Sequence, residues 1–190
     1  ASWVNLNPAT AVRSEAYAVG DGQQGGYARV SSKDRAALWS GTAASWVDLH
    51  PAAATGSYVF GVRGGQQVGA AWVGGEYRAA TWTGSAASWV DLNPAGAEES
   101  EASRNRDGLI VGYAAFDGVA HAGMWSGSAA SWMDLHPAGS TYSTAIDLMG
   151  DLQVGFAEIG GEFHAVLWSG TAGSMVDLHT SLDSALWAAN

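Results

Sequence analysis

One short phrase returns five times in this chain at a constant step of 43 residues: ASWVNLNP from residue 1, ASWVDLHP from 44, ASWVDLNP from 87, ASWMDLHP from 130 and GSMVDLHT from 173. Other positions keep the same step, among them Ser14, Ser57, Ser100 and Ser143, then Gly26, Gly69, Gly112 and Gly155, then Trp39, Trp82, Trp125 and Trp168. Self-similarity at a fixed period in this range marks a repeat architecture, in which each unit buries its apolar face only against its neighbours. The units are 1–43, 44–86, 87–129 and 130–172, with a partial copy over 173–190, and together they read as one repeat domain covering residues 1–190.

Each unit divides into four short segments, shown by the fourth copy as ASWMDLH (b), STAIDLM (c), LQVGFAEI (d) and FHAVLWS (a). Gly150-Asp151, Gly160-Gly161 and Ser169-Gly170-Thr171 separate them. Glycine-rich dipeptides of this kind supply the positive φ of tight hairpin turns, so the segments read as antiparallel strands. Four strands per repeat of about 40–50 residues is the pattern of a propeller blade. The fold expected is all-β, a β-propeller of about four four-stranded blades, with five blades, one of them partial, as the alternative and a linear β-solenoid as the competitor. Reading b, c, d and a four times and then b and c gives eighteen strands, two more than four blades hold. Either Ala1 to Asn7 or Ser174 to His179 is expected to supply the last b strand, and Met175 and Thr180, replacing Trp and Pro, suggest a different environment for the final copy.

Composition narrows the function. The formal charge is −10 and Lys33 is the only lysine, so no basic stripe exists to neutralise phosphates, and nucleic acid is not an expected partner. No cysteine is present, which excludes disulfides and thiolate metal sites. No apolar run reaches the ~18–20 residues that span a bilayer, so no membrane insertion is expected, and any signal peptide is expected to have been removed already.

The segments His164-Ala165, Leu167-Trp168, Asp177-Leu178, Ser143 with Ala145, and Gln153-Val154-Gly155 resemble the HAF-type extracellular repeats of bacterial secreted proteins, and the resemblance covers the whole chain. The pattern's Phe is replaced by Ala37, Ala80, Gly123 and Val166. The resemblance implies a bacterial protein that is secreted or held at the cell surface, propeller-like, with no established activity.

Two tryptophans per repeat, such as Trp82 and Trp89, read as wedges between blades rather than sugar platforms, because a bulky residue at a fixed place in every unit is packing. Asp48, Asp91 and Asp134, with Asn5 in the first copy, read as structural acceptors, since acid and base roles need carboxylates in unlike environments. No Gly-x-Ser-x-Gly elbow and no phosphate loop is present, so an enzyme is not expected, nor is any cofactor. Glu98 to Asp107 breaks from its siblings by its charge and reads as a solvated outer hairpin. That stretch and Ser31 to Asp34 are nevertheless places to look for a partner contact. Setting Trp82 opposite Trp89 and counting outward places Arg35 against His50, Arg78 against Asn93, His121 against His136 and His164 against His179. These eight residues form the candidate ligand site at a rim, with the four histidines of the last two pairs as candidate metal ligands. The expected function is binding or adhesion, with carbohydrate or another copy of the chain as partner, and a self-assembling structural role as the alternative.

Overall fold

The computed structural model describes residues 3–179. It is an all-β protein of four four-stranded antiparallel sheets, each made of consecutive strands. The first holds β1 (Arg13–Gly20), β2 (Gln23–Val30), β3 (Lys33–Trp39) and β4 (Val47–Asp48). The second holds β5 (Ala54–Arg63), β6 (Gln66–Val73), β7 (Glu76–Trp82) and β8 (Val90–Asp91). The third holds β9 (Glu99–Arg106), β10 (Leu109–Phe116), β11 (Val119–Trp125) and β12 (Met133–Asp134). The fourth holds β13 (Tyr142–Met149), β14 (Leu152–Ile159), β15 (Glu162–Trp168) and β16 (Val176–Asp177).

Each sheet is a propeller blade in the order c, d, a and then b of the next repeat, so a blade straddles two sequence units. The first strands of the blades pack on one another, β1 on β5, β5 on β9 and β9 on β13, which makes them the inner strands of an arc. The blades form an open arc, because no comparable packing joins β13 to β1 among the described residues. The fourth blade takes its b strand from Val176–Asp177, and residues 3–8 form no strand. The further c strand expected after Thr180 lies outside the described residues.

The b segment is shorter than its sequence suggests. Its Ala-Ala-Ser portion winds into a 3-10 turn, as at Ala43–Ser45, and only two residues pair with strand a. Ser45 Oγ accepts from the Ser40 amide at 2.7 Å and donates to Thr42 O at 2.7 Å, a local bond that competes with the ladder and ends it.

The blades are held face to face by the expected wedges. Trp39, Trp82, Trp125 and Trp168 are each no more than 1% exposed. Trp82 packs with Ala36, Leu38 and Leu49 of the blade before it, and Trp125 packs with Val68 and Leu92 in the same manner. Trp46, Trp89 and Trp132 lie half-buried against the same clusters. Met175 occupies that place in the last blade, against the cluster of Leu135 and Trp168, so its environment matches that of its tryptophan siblings. Leu6 covers Trp39, which gives the first blade a substitute for the missing neighbour.

A hydrogen-bonded clasp joins each blade to the next. The Ala36, Ala79 and Ala122 amides donate to Ser57, Ser100 and Ser143 Oγ of the following blade at 2.8–2.9 Å. All three serines are fully buried, which explains their recurrence at a fixed step.

Candidate functional site

The glycine of strand d sets the geometry at the axis. A Cβ on Gly26, Gly69, Gly112 or Gly155 would stand about 1.8–2.0 Å from a carbonyl of the neighbouring inner strand. Opposite each glycine the inner strand carries a β-bulge, and the residues skipped by the ladder are Tyr17, Phe60, Ser103 and Ile146. A bulge leaves one residue unpaired and re-aims its side chain. All four side chains wall one cleft of about 480 Å³, completed by Glu101, Arg104, Tyr113, Tyr142 and Thr144.

Aromatic rings dominate one side of this axial region. Tyr17 lies 5.7 Å from Phe60 and 6.0 Å from Tyr27, and Tyr58 lies 6.2 Å from Phe60 with the ring planes 3° apart. Carboxylates tether the rings by their hydroxyls. Tyr17 and Tyr27 both donate to Glu15, Tyr58 to Asp34 at 3.0 Å, and Tyr77 to Glu101 at 3.2 Å. The Tyr27 and Tyr17 hydroxyls hold Glu15 below the usual carboxylate range. Burial pushes Glu101 above it. Burial, reinforced by the Asp34 bond, pushes Tyr58 up to about 12. Within the cleft itself the rings of Tyr17, Phe60, Tyr113 and Tyr142 stand with one carboxylate, Glu101, a lining that suits a ligand with a stackable ring and peripheral hydroxyl groups.

The segment Glu98 to Asp107, expected as a solvated outer hairpin, is instead largely the inner strand β9. Ser100 and Ala102 are fully buried and Asn105 nearly so, while Glu101, Ser103 and Arg104 face the cleft. Glu101 and Arg104 bring part of its charge to the cleft, while Glu98, Glu99 and Asp107 are exposed, as solvation predicts. Ser31 and Ser32 form a turn, and Asp34 beside them accepts from Tyr58 and pairs with Arg13 at 3.5 Å and Arg29 at 3.4 Å.

The eight residues expected at a rim lie at the outer end of the blades. The ladder pairs Ala37 with Asp48, which places Arg35 opposite His50 as counted from the sequence. The His121 and His136 rings stack at 4.0 Å, and those of His164 and His179 at 4.5 Å. Each first member, however, is held by the b-strand aspartate: Arg35 by Asp48 at 3.1 Å, Arg78 by Asp91 at 2.8 Å, His121 by Asp134 at 2.9 Å and His164 by Asp177 at 2.7 Å. The aspartates also accept an amide two residues on, at His50, Asn93, His136 and His179, and are the structural acceptors expected.

The second members extend the clasp. His50 Nε2–H donates to Ala54 O at 3.1 Å, so its Nδ1 carries no proton and accepts from Ser57 Oγ at 2.7 Å. Asn93 reproduces this with Nδ2 donating to Ala97 O and Oδ1 accepting from Ser100, and His136 repeats it with Ser140 O and Ser143. With both ring nitrogens of His50 and His136 committed, neither has a lone pair for a metal. Among the described residues no three His, Cys, Asp or Glu side chains are grouped to hold a metal ion.

Comparison with family models and with curated sequences finds no match. Among solved structures, a putative TolB from Agrobacterium tumefaciens, a β-propeller, superposes with a TM-score of 0.72 over 91% of this chain and 68% of that chain at 10% identity. A puromycin hydrolase superposes with a TM-score of 0.61 over 82% of this chain and 26% of that chain at 14% identity. At such identities the likeness carries the fold alone.

Proposed function

We propose that this protein is an exported bacterial binding module that holds a glycan in its axial cleft, where the sequence placed a ligand at the outer rim. The observation that carries this is the convergence of the four bulge residues. Tyr17, Phe60, Ser103 and Ile146 occupy one repeat position, yet they differ from one another and meet in one cleft, whereas the outer positions are spent on holding the blades together. Export rests on the resemblance to HAF-type extracellular repeats. Binding is favoured over hydrolysis because Glu101 is the one carboxylate among the residues walling the cleft, and glycoside cleavage normally uses two. A glycan array probed with the parent and with a Tyr17→Ala/Phe60→Ala variant tests this: binders are expected for the parent and lost in the variant. An array with no binder refutes it.

A second reading, association of copies through the ends of the arc, is favoured by one observation. Val154 is 42% exposed on the last blade, whereas its counterparts Val68 and Val111 are fully buried, and Val19 on the first blade is 78% exposed against 6% for Val62. The internal interfaces show that such faces fit one another, and a second copy would cover them. Light scattering at high concentration is expected to show a dimer or larger ring that Val154→Lys dissociates. A strict monomer contradicts this reading.

A further inference from the structure

The chain carries eight basic side chains against eighteen acidic ones, so an arginine without a carboxylate partner is unexpected. Arg13 and Arg29 pair with Asp34, Arg35 with Asp48, and Arg78 with Glu76 and Asp91. The other three, Arg63, Arg104 and Arg106, make no ion pair among the described residues, and all three wall a single cavity of about 270 Å³ at the axis. With Arg63 exposed and Arg104 within the field of Glu101, the repulsion among the three is partly screened, and what remains is a local positive excess that would attract an anion.

The surroundings hold the Arg104 guanidinium, and they hold the backbone from which Arg63 projects. Arg104 Nη1 donates to the carbonyls of Phe60 and Ser103, which pins the guanidinium beside the bulges and leaves its other N–H groups to point elsewhere. Asn105, between the two β9 arginines, is buried and donates to Arg63 O and Gln66 O, tying the end of β5 to β9. One carboxylate, Asp147, shares the wall, so the cavity carries three positive groups and one negative. Tyr17 and Arg104 belong both to this cavity and to the aromatic cleft, so a ligand seated on the rings has the arginines within reach of one of its ends.

We propose that the arginine cavity is the anion subsite of the cleft and that the ligand is an acidic sugar, its ring against Tyr17 and Phe60 and its carboxylate on Arg63, Arg104 and Arg106. This rests on the glycan reading above and narrows it to a uronate-type residue. Planar, two-pronged pairing with guanidinium groups is the geometry a carboxylate takes best.

Isothermal titration of the full chain at low ionic strength with glucuronate, glucose and inorganic phosphate tests it, on the parent and on Arg63→Gln and Arg106→Gln. Glucuronate is expected to bind at least about tenfold more tightly than glucose, and each variant to bring it towards the glucose level with the unfolding midpoint and the glucose affinity unchanged. Phosphate is expected to compete with glucuronate. Equal binding of glucuronate and glucose overturns the anion subsite while leaving the cleft as a sugar site. Phosphate binding with which glucuronate does not compete overturns the acidic sugar as ligand. If neither sugar binds, the acidic-sugar assignment falls, and the glycan reading stands or falls on the array.

Discussion

Replacing Ser57 by Ala removes one oxygen that completes two buried hydrogen bonds. Its Oγ accepts from the Ala36 amide at 2.8 Å and donates to His50 Nδ1 at 2.7 Å, and the serine is fully buried. A buried polar group left without a partner costs about 1–3 kcal/mol. Two such groups at the lower end of that range, since His50 keeps its bond to Ala54 O, give a loss of about 2–4 kcal/mol. For a chain of this size each kcal/mol moves the midpoint by about 2–4 °C, so a fall of about 6–12 °C is expected for a loss of about 3 kcal/mol. Ser14 supplies the control. It occupies the same repeat position, half-buried, in a blade that no blade precedes among the described residues, and Ser14→Ala should change stability by less than about 0.5 kcal/mol. Thermal and urea unfolding of the two variants, with Ser100→Ala as a repeat of the first, measure the contrast. Equal losses at Ser14 and Ser57, or no loss at Ser57, would refute the clasp as what joins the blades.

Trp82→Ala should cost about 3–5 kcal/mol in urea unfolding, whereas Trp3, 81% exposed, should be replaceable at almost no cost. Gly69→Ala should destabilise the fold by several kcal/mol and shift the Phe60 ring resonances, because its Cβ would stand 2.0 Å from Tyr58 O. Burial holds His50 and His136 below the ordinary histidine pKa, so the unfolded chain takes up protons first and stability, complete above about pH 6.5, should fall as pH drops below it. Asparagine already fills this position at Asn93, so His50→Asn/His136→Asn should flatten that decline in unfolding measured from pH 7.5 to 5.5. Ser31 and Ser32 hold φ of 51° and 68° where other blades have Gly74-Gly75 and Gly160-Gly161, so glycine at both should stabilise the fold by about 1 kcal/mol in all, read as a midpoint raised by about 2–4 °C.

The repeat made the four-blade fold and the tryptophan wedges legible, because both follow from the 43-residue step, and counting outward from Trp82 opposite Trp89 made the pairing of Arg35 with His50 legible too. The axial cleft was not legible for the same reason. Residues that recur, such as Asp48 and His50, proved to be the blade's own fastenings, while those that vary, Tyr17, Phe60, Ser103 and Ile146, form the cleft. Nothing in a strand's composition says whether it lies nearest the axis, so the charge of Glu99 to Arg106 looked like solvation. The bulge was hidden too, since an unpaired residue is a property of register, although Gly26, Gly69, Gly112 and Gly155 marked where it falls. A signal existed in the contrast between invariant glycine and variable partner.

The most direct test of where the ligand sits is a backbone amide map of the isotopically labelled protein titrated with a sugar that binds it. Ligand in the axial cleft predicts the largest shift changes at Tyr17, Phe60, Ser103, Arg104 and Ile146, with Asp48, His50, Asp134 and His136 unmoved. Changes concentrated at those four outer residues, with the inner strands silent, would contradict it.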